Sequence, residues 1–432
     1  MLNKKSPWAW IPTLYFAEGI PYVVVMTVST IMYKRFGLTN TQVAFFTSLI
    51  GFVWVFKGVW SPFVELLKTK RSWILTTQML IGAGLGGVAL LIPVPFYLQA
   101  TLALFILLAF SSATHDIAAD GFYMIALKEN EQSFFVGIRS TFYRFANILG
   151  QGVLIMFAGF LEETTGNIKF AWSITFFILA GIFLLLFVYH RFALPNVELQ
   201  NLKNNENLDK TKIFDDFFDT FKSFFQKKGV LLAIAFMLLY RFSEALLVKI
   251  SSLFMLDPRS VGGLELSTKE VGFVYGTVGV IALILGGIAG GIAISHKGLK
   301  YWLLPMALCI TLPHLVYIYL SFFQPENFIL INFAVAIEQF GYGFGFTAYM
   351  MYMIYFSVGE HKTAHYAICT AFMALSMSLP GMLAGWLQEK IGYEHFFVFI
   401  MFCSITTWLI IPFLKIDKNF GKKKKEEAGL SS

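Results

Sequence analysis

Three glutamates lie deep inside long apolar stretches of the chain, namely Glu18, Glu244 and Glu338. Glu18 lies ten residues after Trp8, where its apolar stretch begins. In a membrane-crossing helix it would therefore be about 15 Å deep, near the middle of the hydrocarbon layer. A carboxylate at that depth is costly unless it is protonated, paired or turned towards a cavity. We predict that these glutamates are proton-coupling residues. The alternative is that each is a permanently protonated or internally paired packing residue.

A second set of charges lies on two consecutive apolar segments. Asp116 and Asp120 are four residues apart and therefore share one face of a helix. Arg139 and Arg144 follow at matching distances beyond the intervening turn. This spacing predicts that Asp120 pairs with Arg139 and that Asp116 pairs with Arg144, in a structural or a gating role. We interpret the adjacent His115 as a hydrogen-bonded packing residue, with a proton relay as the alternative.

Lys57, Arg144 and Arg241 are among the cations that fall inside apolar stretches. We predict that they contact an anionic substrate, because arginine in particular binds carboxylates and phosphates through its planar fork. The alternative is that each neutralises a nearby carboxylate; Arg241, for example, is three residues before Glu244. Tyr342 lies in an alternating glycine and aromatic sequence that favours close helix packing, and we predict that its side chain faces the substrate.

The composition identifies the environment in which these charges lie. Hydrophobic residues make up 57% of the 432 residues and charged residues only 14%, whereas soluble proteins have about 25% charged residues. The chain is therefore predicted to be an all-α integral membrane protein with twelve transmembrane helices. The apolar runs are 8–32, 41–62, 73–92, 96–125, 137–160, 170–193, 229–255, 270–294, 300–321, 327–356, 365–387 and 395–414.

Several functional classes are not indicated by the sequence. It contains no phosphate-binding loop, zinc signature or nucleophile elbow, so we predict that the protein is not an enzyme and needs no metal or cofactor. Cys309, Cys369 and Cys403 all lie in apolar runs, with neither metal-binding spacing nor a disulfide pattern. The expected partners are a small-molecule substrate, protons and the lipid bilayer, without nucleic acid, and we predict a monomer.

Lysine and arginine are concentrated in alternate polar segments, beginning at the N-terminus, which predicts that both termini are cytoplasmic. A long polar segment divides six helices from six. We therefore predict an N-terminal six-helix bundle over 1–193, a cytoplasmic linker over 194–228, a C-terminal bundle over 229–416 and a basic tail over 417–432. Within the linker, phenylalanines recur at helical spacing and predict an amphipathic helix on the membrane surface.

An internal repeat supports two pseudo-symmetric bundles. The sequence from Ala158 to Gly166, AGFLEETTG, recurs 226 residues later as AGWLQEKIG. The same offset relates Glu18 to Glu244, so we predict that these two carboxylates face each other across a cavity between the bundles. Gly19 and Pro21, next to Glu18, predict a break in the first helix at this point.

Several motifs resemble those of the AmpG-type muropeptide permeases, in the peptide/acetyl-coenzyme A transporter family of the major facilitator superfamily. They include VFKGVWSP from Val55, SATHDIAAD from Ser112, Tyr143 with Arg144, and PGMLAGW from Pro380. The resemblance extends over most of the chain. It implies two six-helix bundles that work by proton-linked alternating access, with anhydromuropeptides or, in relatives, acetyl-coenzyme A as substrates.

Together these observations predict a bacterial inner-membrane transporter that imports a peptidoglycan-derived muropeptide by proton symport. The first alternative is a transporter of another organic anion, such as an acyl-coenzyme A or a nucleotide-like solute. The second is a membrane receptor that does not transport. Charged residues within the membrane favour transport, because a receptor has no evident need for carboxylates at mid-depth.

Overall fold

A computed structural model describes residues 5–197, 210–359 and 361–422. The first half consists of α1 (Pro7–Arg35), α2 (Asn40–Leu67), α3 (Lys70–Leu91), α4 (Tyr97–Ala126), α5 (Glu129–Asn147, Ile148–Leu154 and Ile155–Thr165 in continuity) and α6 (Ile168–Ala193). The second half consists of α7 (Val230–Leu256), α8 (Thr268–Lys297), α9 (Leu299–Phe323), α10 (Phe328–Ser357) and a long segment, Lys362–Ile410. A helix over Lys210–Phe225, the linker helix, lies between the halves in sequence.

The long final segment contains two helices. Gly392 interrupts it with a φ of 76° and a ψ of 167°, a conformation open almost only to glycine. We call the parts on either side α11 (362–391) and α12 (393–410). With this division the described residues contain twelve helices long and apolar enough to cross a membrane, and the predicted all-α fold is confirmed.

Local signals define where several helices begin and end. Thr39 and Ser267 cap the first turns of α2 and α8, each within a capping box completed by Gln42 or Glu270. Gly166 ends α5 in the left-handed conformation. These features explain why short polar sequences are enough to turn the chain back into the bilayer.

The two halves hold each other mainly at one end of the bundle. Because α1 begins beside the N-terminus and ends at Arg35, we call the end that contains residues 34–41, 257–269 and 388–394 the closed end, and the other the terminal end. Every hydrogen bond or ion pair recorded between the halves, within the described ranges, involves first-half residues 34–47 or 156–163. We infer that the space between the halves opens towards the terminal end.

The expected break in α1 is not found. The helix continues through Pro21 and has only a wider π-helical turn over Val24–Val28. Gly19 has a packing role, because a Cβ added there would lie 2.7 Å from the Cβ of Ala146 on α5. The interruption lies instead in α7, between the helical segments Val230–Leu239 and Phe242–Leu256.

The linker helix is anchored to the second half. Phe224 is fully buried, the Ser223 hydroxyl lies 3.0 Å from His365 Nε2, and Lys227 donates to the carbonyl oxygens of Phe356 and Val358 at 2.6 and 3.0 Å. The rest of the predicted linker, 198–209, and the tail 423–432 lie outside the described residues. The predicted domain boundaries remain predictions.

The turn between α11 and α12 gives a first testable prediction. Gly392→Ala should lower the free energy of unfolding by about 1–3 kcal/mol, because only the backbone conformation opposes a side chain there: an added Cβ would meet no atom within 4 Å. Thermal unfolding in detergent measures the effect. Gly291→Ala is the matched control, since it also has open space but lies within helix α8, and it should be neutral or slightly stabilising. Equal stability of the two variants would contradict this account of the turn.

Candidate functional site

A cluster of charges lies in the first half around Glu18, whose side chain is 9% exposed. The strongest electrostatic influences on it come from Asp120, Asp116, Arg139 and Lys57, which lie on α4, α5 and α2. Glu18 Oε2 is buried without a hydrogen-bond partner. The structure therefore brings together, from four helices, five charged residues that the sequence had singled out.

Arg139 pairs with Asp120, as the sequence predicted. Its guanidinium lies 2.7 Å from Asp120 Oδ1, and the Tyr15 hydroxyl donates to the same oxygen at 3.1 Å. Arg139 also stacks on the rings of Tyr15 and Tyr123, at 4.4 and 5.0 Å from their centroids. Tyr15 was not identified from the sequence, because tyrosines are frequent in this chain and its position gives no separate signal.

The predicted pair of Asp116 with Arg144 is wrong. Both residues are described, and no ion pair joins them within the 5–197 range; Asp116 Oδ1 is buried and unpartnered. The reason is geometric. Matching distances from a turn give equal height along the bundle but not equal direction. Residues five apart on a helix point roughly 140° away from each other, so Arg144 cannot face α4 when Arg139 does.

Arg144 points instead towards the second half. Its guanidinium nitrogens lie 3.8 and 3.9 Å from the position that a Cβ on Gly287 of α8 would occupy. Neither Arg144 nor Lys57 has a hydrogen bond or ion pair recorded in the part of the chain that the structure describes, and both are half-buried. Cations in this state are suited to bind an anionic group, because their N–H donors make no direct contact with a carboxylate in the described ranges.

Glu244 forms its ion pair with a residue that the sequence analysis missed. Its Oε2 atom lies 3.1 Å from His314 Nε2, and both side chains are 1% exposed. Arg241 is therefore not its partner. His314 lies in a short turn beside Pro313 within α9, and a polar residue beside a proline in an apolar stretch was the available signal.

Arg241 lies in an aromatic cage at the interruption of α7. Its guanidinium donates a hydrogen bond to the Tyr342 hydroxyl and lies 5.3, 4.8 and 5.9 Å from the ring centroids of Tyr342, Phe346 and Tyr349. Its Nε atom is buried without a partner. Such a cage holds a cation away from water by attraction to the ring faces, so Arg241 keeps unused donor capacity inside the protein.

Glu338 lies close to the second-half pair. It is 1% exposed; its Oε2 accepts a hydrogen bond from Gln339 Nε2 at 2.9 Å, and its Oε1 is buried without a partner. Glu244 is its main charged neighbour. Glu244, Glu338 and His314 thus form a group of two buried carboxylates and one histidine in the second half.

Glu18 and Glu244 do not form a pair across the cavity. Glu18 belongs to the first-half cluster and Glu244 to the second-half pair with His314. Near Glu18, Tyr22 on α1 packs edge-on against Trp54 of α2 at 5.1 Å, and Arg241 of the second half is among the charges that act on it. The repeat therefore relates the two glutamates by symmetry without bringing them together.

His115 takes part in a buried chain of hydrogen bonds within the first half. Its Nε2 lies 3.0 Å from Gln78 Nε2, Gln78 Oε1 lies 3.0 Å from His190 Nδ1, and His190 Nε2 lies 2.9 Å from the Thr13 hydroxyl. This matches the interpretation of His115 as a packing residue. No group of three or more histidine, cysteine, aspartate or glutamate residues among those described is arranged to hold a metal ion.

The sequence analysis also missed the polar contacts between the halves. At the closed end, Lys34 forms an ion pair with Asp257 at 2.5 Å. Deeper in the bundle, the Lys249 ammonium on α7 donates to the Thr47 hydroxyl on α2 at 3.0 Å. Nothing in the sequence relates these partners to each other, and only the fold brings them together.

Residues 13–367 match the Major Facilitator Superfamily. The chain belongs to this family. A Rickettsia conorii protein named AmpG 4 is 24% identical over 417 residues, which cover 94% of this chain and 96% of that protein. The anhydromuropeptide permease of Escherichia coli K12 is 23% identical over 435 residues, 96% and 82% of the two chains. The crystal structure of a mutant of the nucleoside transporter NupG is similar with a TM-score of 0.70 and 12% identity, over 94% of this chain and 99% of that one.

These similarities establish the class of protein. The family and its structural neighbours are transporters, so this chain is a multi-pass membrane transporter of small molecules and not an enzyme. At this level of identity, the solved structure supports only the fold.

The buried pair in the second half gives a second prediction. His314→Leu should lower the free energy of unfolding by about 3–5 kcal/mol, because it leaves the Glu244 carboxylate buried without its partner. Thermal unfolding of the purified protein measures the loss.

The double variant His314→Leu with Glu244→Gln is the decisive comparison. It removes the stranded charge and should recover most of the lost stability. If the losses of the two single variants simply added, the contact would not be energetically coupled.

Proposed function

We propose that this protein is a proton-coupled transporter that imports a peptidoglycan-derived muropeptide across the bacterial inner membrane. The observation that carries the proposal is the first-half cluster, in which the carboxylates of Glu18 and Asp116 adjoin Lys57, a cation with no hydrogen bond or ion pair in the described ranges. The name of the Escherichia coli relative supports a muropeptide as the substrate. The sugar-peptide class also fits the chemistry, since muropeptides bear both carboxylates and many polar groups.

The charges of the cluster indicate how it could hold a proton. It contains three carboxylates, Glu18, Asp116 and Asp120, and two cations, Lys57 and Arg139. With every group ionised, the cluster carries one excess negative charge in a region of low dielectric, where an uncompensated charge is costly. One bound proton makes it neutral. Because Asp120 is already paired with Arg139, Glu18 and Asp116 are the groups at which we place this proton.

The substrate would bind between the halves. Lys57 and Arg144 extend from the first half, and Arg241 with Tyr342 lies in the second. An anionic group bound at Lys57 would compensate the positive charge that stabilises ionised Asp116. Protonation of Asp116 would then be favoured, so substrate and proton would each promote binding of the other at this cluster. This linkage provides a physical basis for symport.

The orientation of the chain in the membrane determines which side each end of the bundle faces. With both termini in the cytoplasm, as the basic segments predict, the closed end is the periplasmic end and the present conformation is open to the inside. Substrate and proton would enter when the closed end opens and leave towards the cytoplasm.

A second candidate is a transporter of another organic anion, such as an acyl-coenzyme A or a nucleotide-like solute. Lys57 and Arg144, which have no ion pair in the described ranges, favour this candidate as much as the first, because both side chains bind phosphates as well as carboxylates. Uptake of labelled muropeptide into inverted and right-side-out vesicles, with and without a pH gradient, tests the main proposal. Competition by unlabelled muropeptides but not by acyl-coenzyme A would support it, and the reverse would favour the second candidate.

Glu18→Gln gives a third prediction. The variant should lose accumulation driven by a pH gradient, because an amide cannot release a proton, so the internal concentration should stop at the external one. Counterflow of substrate should continue, since exchange needs alternating access but no net proton movement. Glu326→Gln, on an exposed loop, is the matched control and should accumulate normally. Full gradient-driven accumulation by the Glu18 variant would move the coupling role to Asp116 or to Glu338.

Arg144→Lys gives a fourth prediction. The positive charge remains but the planar fork is lost, so the substrate concentration for half-maximal uptake should rise about tenfold, equivalent to about 1.4 kcal/mol. Arg191→Lys, the same substitution at an exposed position, is the matched control and should leave this concentration unchanged. An unchanged half-saturation concentration in the Arg144 variant would exclude bidentate contact at this position.

A further inference from the structure

The repeated sequence that relates the two halves also takes part in the contacts between them at the closed end. We propose that the shared pattern Ala-Gly-x-Leu-x-Glu, at the ends of α5 and α11, forms two equivalent clasps that hold the closed end shut. Each clasp grips the first turn of a helix in the opposite half. Opening this end for substrate entry would therefore require both clasps to separate.

The glycine of each pattern allows the close approach. A Cβ on Gly159 of α5 would lie 2.4 Å from the backbone nitrogen of Lys269, in the first turn of α8. A Cβ on Gly385 of α11 would lie 2.1 Å from the carbonyl oxygen of Asn40, in the first turn of α2. The two glycines are 226 residues apart in the repeat. Both positions therefore exclude any larger residue as long as this end is closed.

The residues that follow each glycine make equivalent polar contacts. Glu162 accepts a hydrogen bond from the Thr268 hydroxyl at 2.7 Å, and its counterpart in the repeat, Gln388, accepts one from the Asn40 side chain at 2.7 Å. Each joins the last turns of α5 or α11 to the first residue of α8 or α2.

The glutamate that ends each pattern adds a further contact. Glu163 lies 3.6 Å from the Lys269 ammonium. Its counterpart, Glu389, accepts hydrogen bonds from the Thr41 backbone N–H at 2.9 Å and from the Thr41 hydroxyl. At the start of a helix the first N–H groups have no partner within the helix, so Glu389 satisfies a group that α2 leaves open, and the helix dipole favours its negative charge.

Contacts within each half hold the clasps in position. Glu162 accepts from Arg35 at 3.0 Å and from the Trp172 indole N–H at 2.7 Å. Around the other clasp, the Lys34 ammonium donates to the Asn40 side-chain oxygen at 2.6 Å within the first half, and the Tyr393 hydroxyl donates to Asp257 at 2.5 Å within the second. Because these groups are fixed on their own helices, the clasps can separate and close again without rebuilding either half.

Spin labels on the two halves can test this proposal. Labels at the exposed positions Thr164 and Lys390, in a cysteine-free background, would report the distance across the closed end by double electron–electron resonance. Gly159→Ala and Gly385→Ala should each increase the ratio of open to closed molecules by about tenfold or more, since the added methyl group would overlap backbone atoms. Gly181→Ala and Gly291→Ala, where a Cβ would meet no atom within 4 Å, are matched controls and should leave the distances unchanged.

A milder variant keeps the test valid if the alanine variants fail to fold. Glu389→Gln should shift the same ratio by about threefold or more, because a neutral amide is a weaker acceptor at a helix start; Glu394→Gln, at an exposed position nearby, is its control. Unchanged distances in Glu389→Gln and in both folded glycine variants would overturn the proposal. A shift at only one of the two glycines would overturn the equivalence of the clasps. These measurements need neither substrate nor a pH gradient, so they are independent of the proposed transport activity.

Discussion

The cost of placing charge in a medium of low dielectric is the constraint on which the arrangement of this protein depends. Some ionic groups meet it by local pairing, as Lys34 does with Asp257 and Glu244 with His314. Arg241 meets it with aromatic rings. Within the described ranges, Lys57 and Arg144 have no ion pair, and Glu18 and Glu338 each keep one buried oxygen without a partner. These groups mark the places where the protein's own contacts leave charge incompletely compensated.

The sequence was sufficient to predict the fold and many of the charged residues that lie within the helical bundle. Twelve apolar runs became twelve helices because the bilayer fixes both the length and the composition of a spanning segment. Depth could also be predicted, since it follows from counting residues. The direction in which each side chain points around its helix could not be predicted in this way, and the predicted pairing of Asp116 with Arg144 is wrong for that reason. His314 was missed because its partner lies on a distant helix, which only tertiary packing brings near.

Helix irregularities were located less well than helices. Pro21 predicted a break in α1, yet the helix accommodates this proline and widens only afterwards. The actual interruption, at Tyr240 and Arg241, has neither proline nor glycine. At this interruption, the Arg241 side chain contacts aromatic rings of α10. Contacts of this kind cannot be predicted from the local helix propensity of the sequence. The backbone of α7 at this interruption is thus determined by tertiary interactions.

The two contacts between the ends of α5 or α11 and the opposite half are equivalent in position but differ in their response to the solution. Glu163 and Lys269 are opposite charges with side chains that are each 48% exposed, so dissolved ions screen their attraction, over a distance of about 8 Å at physiological ionic strength. Glu389 instead binds a hydroxyl and a backbone N–H, which screening affects much less. Rising ionic strength at the closed end would therefore weaken the contact between α5 and α8 before the contact between α11 and α2. The halves would then tilt apart rather than separate evenly.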